Sequence, residues 1–253
     1  MNWFGRTPRI WHLGFWICVA AAGCDLPGRP KPADRFVPPH EEMRFTVLFD
    51  QNCVGCHGAE GKLGPAPPLN DELFLTIIPP EELLRIVSQG REGTLMPAFG
   101  AGKGGGLTSE QVRVLTEGIR QRWGSAAPTP IKVPPYLLPE TKPSATAVDA
   151  GTRVFARACA SCHGESGHGG RYGGKPDGRP VGAINVPGFL ALISDQALRR
   201  LIITGRPDLG MPNYAESHGR PADFKPLTSQ DVTDVVALLA SWRQGTSINA
   251  RGN

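Results

Sequence analysis

The sequence predicts an all-α fold made of two tandem copies of one small helical unit. Three observations carry this. The motif Cys-x-x-Cys-His occurs twice, as Cys53-Val54-Gly55-Cys56-His57 and Cys159-Ala160-Ser161-Cys162-His163, so Cys53 maps to Cys159 at a shift of 106. Further on, Leu83, Ile86, Val87, Gly90, Arg91, Met96, Pro97 and Phe99 match Leu198, Leu201, Ile202, Gly205, Arg206, Met211, Pro212 and Tyr214 at 115, and Leu107-Thr108-Ser109 matches Leu227-Thr228-Ser229 at 120. A shift that grows in steps means insertions in the second half, nine residues between His and Met and five after Met, and such self-similarity reports architecture better than local propensity does. The third observation is helical spacing of apolar residues in every matched stretch.

Taken in order, helices are expected over 43–51 and 148–160, each leading into a Cys-x-x-Cys-His motif. Leu83, Leu84 and Val87 predict a helix over 81–89, and Leu198, Leu201 and Ile202 one over 195–203. Gly90 and Gly205 follow as helix stops. Thr108 and Thr228 are N-caps for the last helices, with Gln111 and Asp231 three positions on. Val112, Leu115 and Ile119 match Val232, Val235 and Leu239 as a buried stripe, and Trp123 and Trp242 close the two helices one position out of register.

The 253 residues include 32 Gly and 25 Pro, with 40% apolar residues. A chain so rich in turns has little with which to fill two cores, so another group is needed. The 27 Lys and Arg against 23 Asp and Glu leave a charge of only +4, far from the dense basic face of a nucleic-acid binder. No apolar run reaches the roughly 20 residues of a membrane span. Cys-x-x-Cys-His is the attachment signal of c-type haem: two thiols meet two porphyrin vinyl groups, and the adjacent imidazole lies under the iron. Zinc needs four ligands, and neither copy has a second Cys-x-x-Cys or a His pair nearby. A thioredoxin-like redox pair leaves the following His unexplained twice.

With helix, Cys-x-x-Cys-His, Gly/Pro loop, middle helix, Met-Pro and last helix in this order, each half resembles a class I cytochrome c domain, over 40–124 and 147–245. The stretch Gly58-Ala59-Glu60-Gly61-Lys62-Leu63-Gly64-Pro65 is similar to that family's loop after the haem motif. The second half departs from it, because His168 to Gly182 is longer and rich in glycine. The resemblance implies two c-type haems, bound through Cys53 and Cys56 and through Cys159 and Cys162, with His57 and His163 as proximal iron ligands. Of four methionines, Met1 is the initiator and Met43 has no counterpart in the second half. Met96 and Met211 match each other, each precedes a proline, and they are the expected sixth ligands. His168 and His218 fall in inserted loops and are read as solvated.

Residues 1–23 read as a signal peptide: Arg6 and Arg9 precede a short apolar stretch from Trp11 to Ala22. Ala21-Ala22-Gly23-Cys24 resembles a bacterial lipoprotein cleavage box, which would make Cys24 the lipidated first residue; an ordinary cleavage site or an uncleaved anchor are the alternatives. Removal of Cys18 and acylation of Cys24 leave four cysteines for two haems. Asp25 resembles the signal that retains some lipoproteins in the inner membrane. Residues 24–39 form a Pro-rich tether reaching about 45 Å. Residues 125–146 form a second Pro-rich linker, interrupted by Tyr136, Leu137 and Leu138 and readable as spacer or as packed segment, and 246–253 form a tail.

Residues 40–124 hold 8 basic and 11 acidic side chains, and 147–253 hold 12 and 9; the difference is either surface noise or a sign that the halves meet different partners. Arg199 and Arg200 lie off the apolar stripe and are expected in solvent, as are Glu81 and Glu82. The first functional expectation is a membrane-anchored dihaem carrier on the periplasmic side of the bacterial cytoplasmic membrane, relaying single electrons between a donor and an acceptor protein. Its alternative is a haem-bearing subunit of a larger quinol-oxidising or terminal oxidase complex. An enzyme of its own, a dihaem peroxidase or thiosulfate dehydrogenase, fits less well: each half supplies its own Met, and no cysteine is left over as an iron ligand.

Because bacterial lipoproteins carry several acyl chains on the modified Cys and stable anchoring takes more than one, Cys24→Ser is expected to release the protein from membranes. Fractionation in high salt checks this, and a variant that stays bound would mean an uncleaved anchor or a tight partner.

Overall fold

The computed structural model describes residues 36–125, 133–139 and 144–249, with 244–249 as backbone alone. The expected signal peptide, Cys18, Cys24 and most of the tether lie outside the described residues. The chain divides into a leading segment, residues 1–41, and a compact unit, residues 42–253. In the leading segment the described residues include a short 3-10 turn, Pro39–Glu41, in which Glu41 N–H donates to Pro38 O at 2.9 Å.

The compact unit contains both repeats. In the first, α1 (Phe45–Asn52) runs directly into α2 (Val54–His57), and α3 (Glu72–Ile77), α4 (Pro80–Gln89) and α5 (Ser109–Trp123) follow. The second has α6 (Ala145–Ala158), α7 (Ala160–His163), α8 (Pro187–Leu192), α9 (Asp195–Thr204) and α10 (Ser229–Asn249). Its longer loop folds as a two-residue antiparallel pair, β1 (Gly170–Arg171) with β2 (Pro180–Val181). Among the described residues no helix is long and apolar enough to cross a membrane.

Local chemistry explains the helix ends. Thr108 Oγ1 accepts from Gln111 N–H at 3.2 Å while Gln111 Oε1 accepts from Thr108 N–H at 2.9 Å, a reciprocal cap on α5. Asp231 takes the part of Gln111 at α10, accepting from Thr228 N–H at 2.9 Å. Pro80 pre-sets the first turn of α4, whose Glu81 and Glu82 oppose the positive end of the helix. Three details differ from expectation. The first helix begins at Phe45, leaving Met43 exposed ahead of it; Leu84 points outward and Ile86 fills the core instead; and α10 continues through Asn249, into the stretch read as a tail. The short helices α3 and α8 have no periodicity long enough to announce them.

Leu48, Phe49, Phe74, Leu83, Leu115 and Ile119 build the first core, and Val154, Phe155, Leu198, Ile203, Val232 and Val235 the second. In each repeat the first and last helices cross closely over a glycine. Phe45 rests on Gly118, where a Cβ would come within 2.2 Å of the ring. In the second repeat the partners are exchanged: Gly151 stands at Phe45's position and Leu238 at Gly118's, and a Cβ on Gly151 would lie 2.1 Å from the Asp234 carbonyl oxygen. Large-on-small packing is kept with the sizes reversed. Beside each crossing a tryptophan meets a phenylalanine edge-on, Trp123 with Phe49 at 5.1 Å and Trp242 with Phe155 at 5.4 Å.

The two cores share a boundary. From α3, Phe74 and Leu75 enter the first core while Leu73 and Ile77 pack against the second. The linker does the same, with Tyr136 buried in the first core and Val133 and Leu138 against the second. Side chains of α9 hold it there. Gln196 accepts from Leu138 N–H at 3.0 Å and donates to Tyr136 O at 2.6 Å, and Arg199 Nε donates to Pro135 O at 2.8 Å. The expectation that Arg199 and Arg200 face solvent fails: they are 0% and 5% exposed. Their face of α9 does point away from its own core, but the linker and the first repeat cover it. Burying both also removes two of the positive charges that set the second half apart.

Arg199 also donates to Ser229 Oγ at 2.9 Å and Thr233 Oγ1 at 3.0 Å. Arg199→Ala should therefore destabilise the haem-loaded protein by about 2–4 kcal/mol, because it strands several buried acceptors. Leu137→Ala, at a half-exposed neighbour, should cost less than about 1 kcal/mol. Urea denaturation compares them, and equal losses would mean that the strap contributes nothing.

Candidate haem centres

Each motif forms the end of a helix. α1 stops at Cys53, whose N–H donates to Phe49 O at 2.8 Å, and the chain re-enters a single turn in which His57 N–H donates back to Cys53 O at 2.9 Å. The second copy repeats this, with Cys159 N–H to Phe155 O at 2.8 Å and His163 N–H to Cys159 O at 3.0 Å. One helical turn thus separates the thiols and sets the imidazole next to them. Cys53 is buried and Cys56 exposed, whereas Cys159 and Cys162 are both partly covered. Burial pushes the Cys53 thiol up to about 12 and the Cys159 thiol up to about 11.

The first imidazole leaves one nitrogen available to a metal. His57 Nδ1–H donates to the Pro67 carbonyl at 2.9 Å, which leaves Nε2 as the nitrogen with a free lone pair. Burial, opposed by that hydrogen bond, holds the ring's pKa down at about 4, so the nitrogen is unprotonated at neutral pH. His163 is likewise pushed down by burial; the Gly182 carbonyl acts on it, yet its buried Nδ1 has no partner within hydrogen-bond limits. An orphaned ring nitrogen in the second copy and a carbonyl-fixed ring in the first both fit a haem whose iron takes Nε2.

The methionine loops match closely. Arg91 N–H donates to Met96 O at 3.0 Å, and Arg206 N–H donates to Met211 O at 3.0 Å. Each loop leaves its helix through a glycine in the left-handed region, Gly90 at φ +72° and Gly205 at φ +71°. No side chain fits there, since a Cβ would come within 2.7 Å of Met96 O or 2.5 Å of Met211 O. Met96 packs against the first core and Met211 is partly buried. His168 and His218 are exposed; the His218 ring lies tilted at 44° to that of Tyr172, with centroids 5.6 Å apart. When bound, haem would supply a one-electron iron couple, which a His/Met ligand pair would set toward electron transfer.

The surroundings differ between copies. In the second, the inserted loop folds back so that Gly173 N–H donates to Cys162 Sγ at 3.1 Å, and Ser161 Oγ donates to Gly219 O at 3.0 Å. In the first, Cys56 has no such cover; Leu63, seven residues on, and Leu95, next to Met96, are 77% and 79% exposed. Arg206 pairs with Asp208 at 2.7 Å, but its match Arg91 donates to Tyr136 Oη at 2.5 Å. Sequence reasoning missed Pro67, Gly182, Tyr136 and Arg200. The match of Gly61 with Gly167, followed by Leu69 with Ile184, could have paired Pro67 with Gly182.

The model of the family described as cytochrome c oxidase, cbb3-type, subunit III matches residues 41–117 and 146–237. The cbb3-type cytochrome c oxidase subunit FixP of Sinorhizobium medicae is 31% identical over 139 residues, 51% of this chain and 41% of that protein. Subunit CcoP of Cereibacter sphaeroides is 32% identical over 52% of this chain and 42% of its own length. Subunit CcoP of an Azospirillum species is 29% identical over 48% and 38%. The chain thus spans about two fifths of the length of the curated relatives it matches. A solved structure, the Kuenenia stuttgartiensis reducing HAO-like protein complex Kustc0457/Kustc0458, covers 82% of this chain and 99% of its own at 17% identity with a TM-score of 0.44, too distant for any conclusion.

Gly90→Ala and Gly205→Ala should each displace one methionine loop and leave both cysteine pairs in place. Each variant is expected to keep two haems per chain by haemochrome assay and to lose the methionine-to-iron absorption of one. Full retention of that band in both would show that the loops tolerate a Cβ.

Proposed function

The chain belongs to the cbb3-type cytochrome c oxidase subunit III family, and from that premise we propose that it serves as the dihaem electron-transfer subunit of a terminal oxidase complex. It carries two c-type haems and transfers electrons. The observation that carries the proposal is the family match over both repeats, each with its own Cys-x-x-Cys-His turn and methionine loop. The FixP and CcoP relatives are named as oxidase subunits, which favours the subunit reading over the free carrier expected first.

In this reading Cys53 and Cys56 hold the first haem and Cys159 and Cys162 the second. His57 with Met96, and His163 with Met211, would supply the iron of each haem with an imidazole and a thioether. The chain's own residues bind and orient: Pro67 fixes one imidazole, Gly90 and Gly205 give the methionines their approach, and the insertions shield Cys162. With both donors coming from the chain, each haem would serve to pass electrons on rather than to bind a substrate. Lipidation at Cys24 and the Pro-rich tether behind it would hold the haem domains, 40–124 and 147–245, on the periplasmic side of the membrane.

Purification of the tagged full-length chain from membranes in mild detergent and low salt tests this. It is expected to co-migrate with an oxygen-reducing complex in which haem stain coincides with the chain. Elution of the intact chain alone, with oxygen reduction migrating elsewhere, would return the free carrier as the better reading.

A further inference from the structure

Residue 200 corresponds to Arg85 of the first repeat, which is exposed and pairs with Glu82 at 2.7 Å. Arg200 behaves otherwise. It leaves its own repeat and enters the first, where its guanidinium carbon lies 3.4 Å from the centroid of the Phe74 ring and its Nη2 donates to the Pro68 carbonyl. The neighbouring carbonyl, Pro67 O, is the one that accepts from His57 Nδ1. Two consecutive carbonyls therefore hold the first proximal imidazole and a cation supplied by the second repeat. Arg200 is 5% exposed, its Nε has no hydrogen-bond partner, and none of the ion pairs among the described residues involves it.

We infer that Arg200 is a positioning and charge-bearing residue of the first centre, which raises the reduction potential of the first haem from within the second repeat. This rests on the reading that His57 and Met96 ligate that haem. The physical cause is Coulombic. A fixed cation in a low-dielectric interior opposes the additional positive charge of iron(III) and favours iron(II) after one electron is taken up from a donor. Burial lowers Arg200 to about 10, so it stays protonated at neutral pH. Arg91 adds to the positive field at His57, and Asp71 faces Arg200 with the opposite sign. The arginine beside the second centre is Arg220, which donates to Ala158 O at 3.1 Å and acts on Cys159 and Cys162 rather than on His163. Arg200 therefore bears on the first centre from outside its own repeat.

The test is a mediated redox titration of the full haem-loaded chain as wild type, Arg200→Met and Arg200→Lys. Met96→His identifies the first-haem wave. Arg200→Met is expected to move the iron(II) to iron(III) ratio of that wave about tenfold toward iron(III) at fixed potential, about 59 mV for a one-electron couple. The second wave should stay in place, and Arg200→Lys should keep most of the wild-type value. No shift, a shift of both waves together, or equal shifts in the Met and Lys variants would overturn the inference. If Arg200→Met fails to assemble, Asp71→Asn decides. Asn caps α3 as Asp does, through the oxygen that accepts from Phe74 N–H at 2.9 Å, and losing the negative charge should raise the first wave; an unchanged or lowered wave overturns the inference. The haem content of a Cys53→Ser/Cys56→Ser variant tests the underlying site reading separately: two haems still bound would refute that reading, whatever Arg200 does.

Discussion

Where the first and last helices of each repeat cross, one partner in the contact is a glycine, and the position of the Cys-His turn follows from that. α1 and α6 end directly in Cys53 and Cys159, so any change in the crossing is carried into the thiols and imidazole. Gly118 admits Phe45 in the first repeat, while in the second Gly151 lies against α10. A tryptophan of the last helix then roofs the loop after the motif, with Gly61 and Gly167 too close to Trp123 and Trp242 to bear a side chain. Two glycines per repeat, one at the crossing and one under the tryptophan, let a small unit present its haem-binding turn rigidly despite the modest apolar core.

The repeats have diverged most on the face of the middle helix that points away from its own core. On α4 that face carries Glu81, Leu84 and Arg85, all exposed. On α9 the matching positions are Gln196, Arg199 and Arg200, and each is spent on the linker or on the first repeat. The face that is exposed on α4 is thus an internal boundary on α9. Arginine suits such a boundary, because its fork satisfies backbone carbonyls that proline-rich segments leave without cross-strand partners.

That contrast explains what could be read from the sequence. The motifs, the matched methionines, the stops at Gly90 and Gly205 and the caps at Thr108 and Thr228 are local, and each needs only its neighbours to be recognised. Leu115 and Val235 likewise declare themselves by spacing within one helix. The burial of Arg199 and Arg200 is not local: periodicity reports which side faces a helix's own core, and says nothing about a second surface laid on the other side. The same applies to the Pro67 carbonyl, since any residue has one and only the fold aims it at His57. α3 and α8, at six residues each, are held by contacts on two sides and carry too little sequence for a period.

The shared boundary bears on how electrons move. A flexible spacer would let two haem units vary in separation, and transfer between them would wait on favourable encounters. Here Tyr136 is 1% exposed in the first core while Leu138, two residues on, packs on the second. Gln196 holds both of their backbones. Separating the repeats would expose Tyr136, Arg199 and Arg200 together, leaving two guanidinium groups without the carbonyls that now accept from them. The arrangement therefore favours a fixed path between the centres, as a subunit that must pass every electron onward requires, over the looser coupling that suffices for a shuttle diffusing between partners.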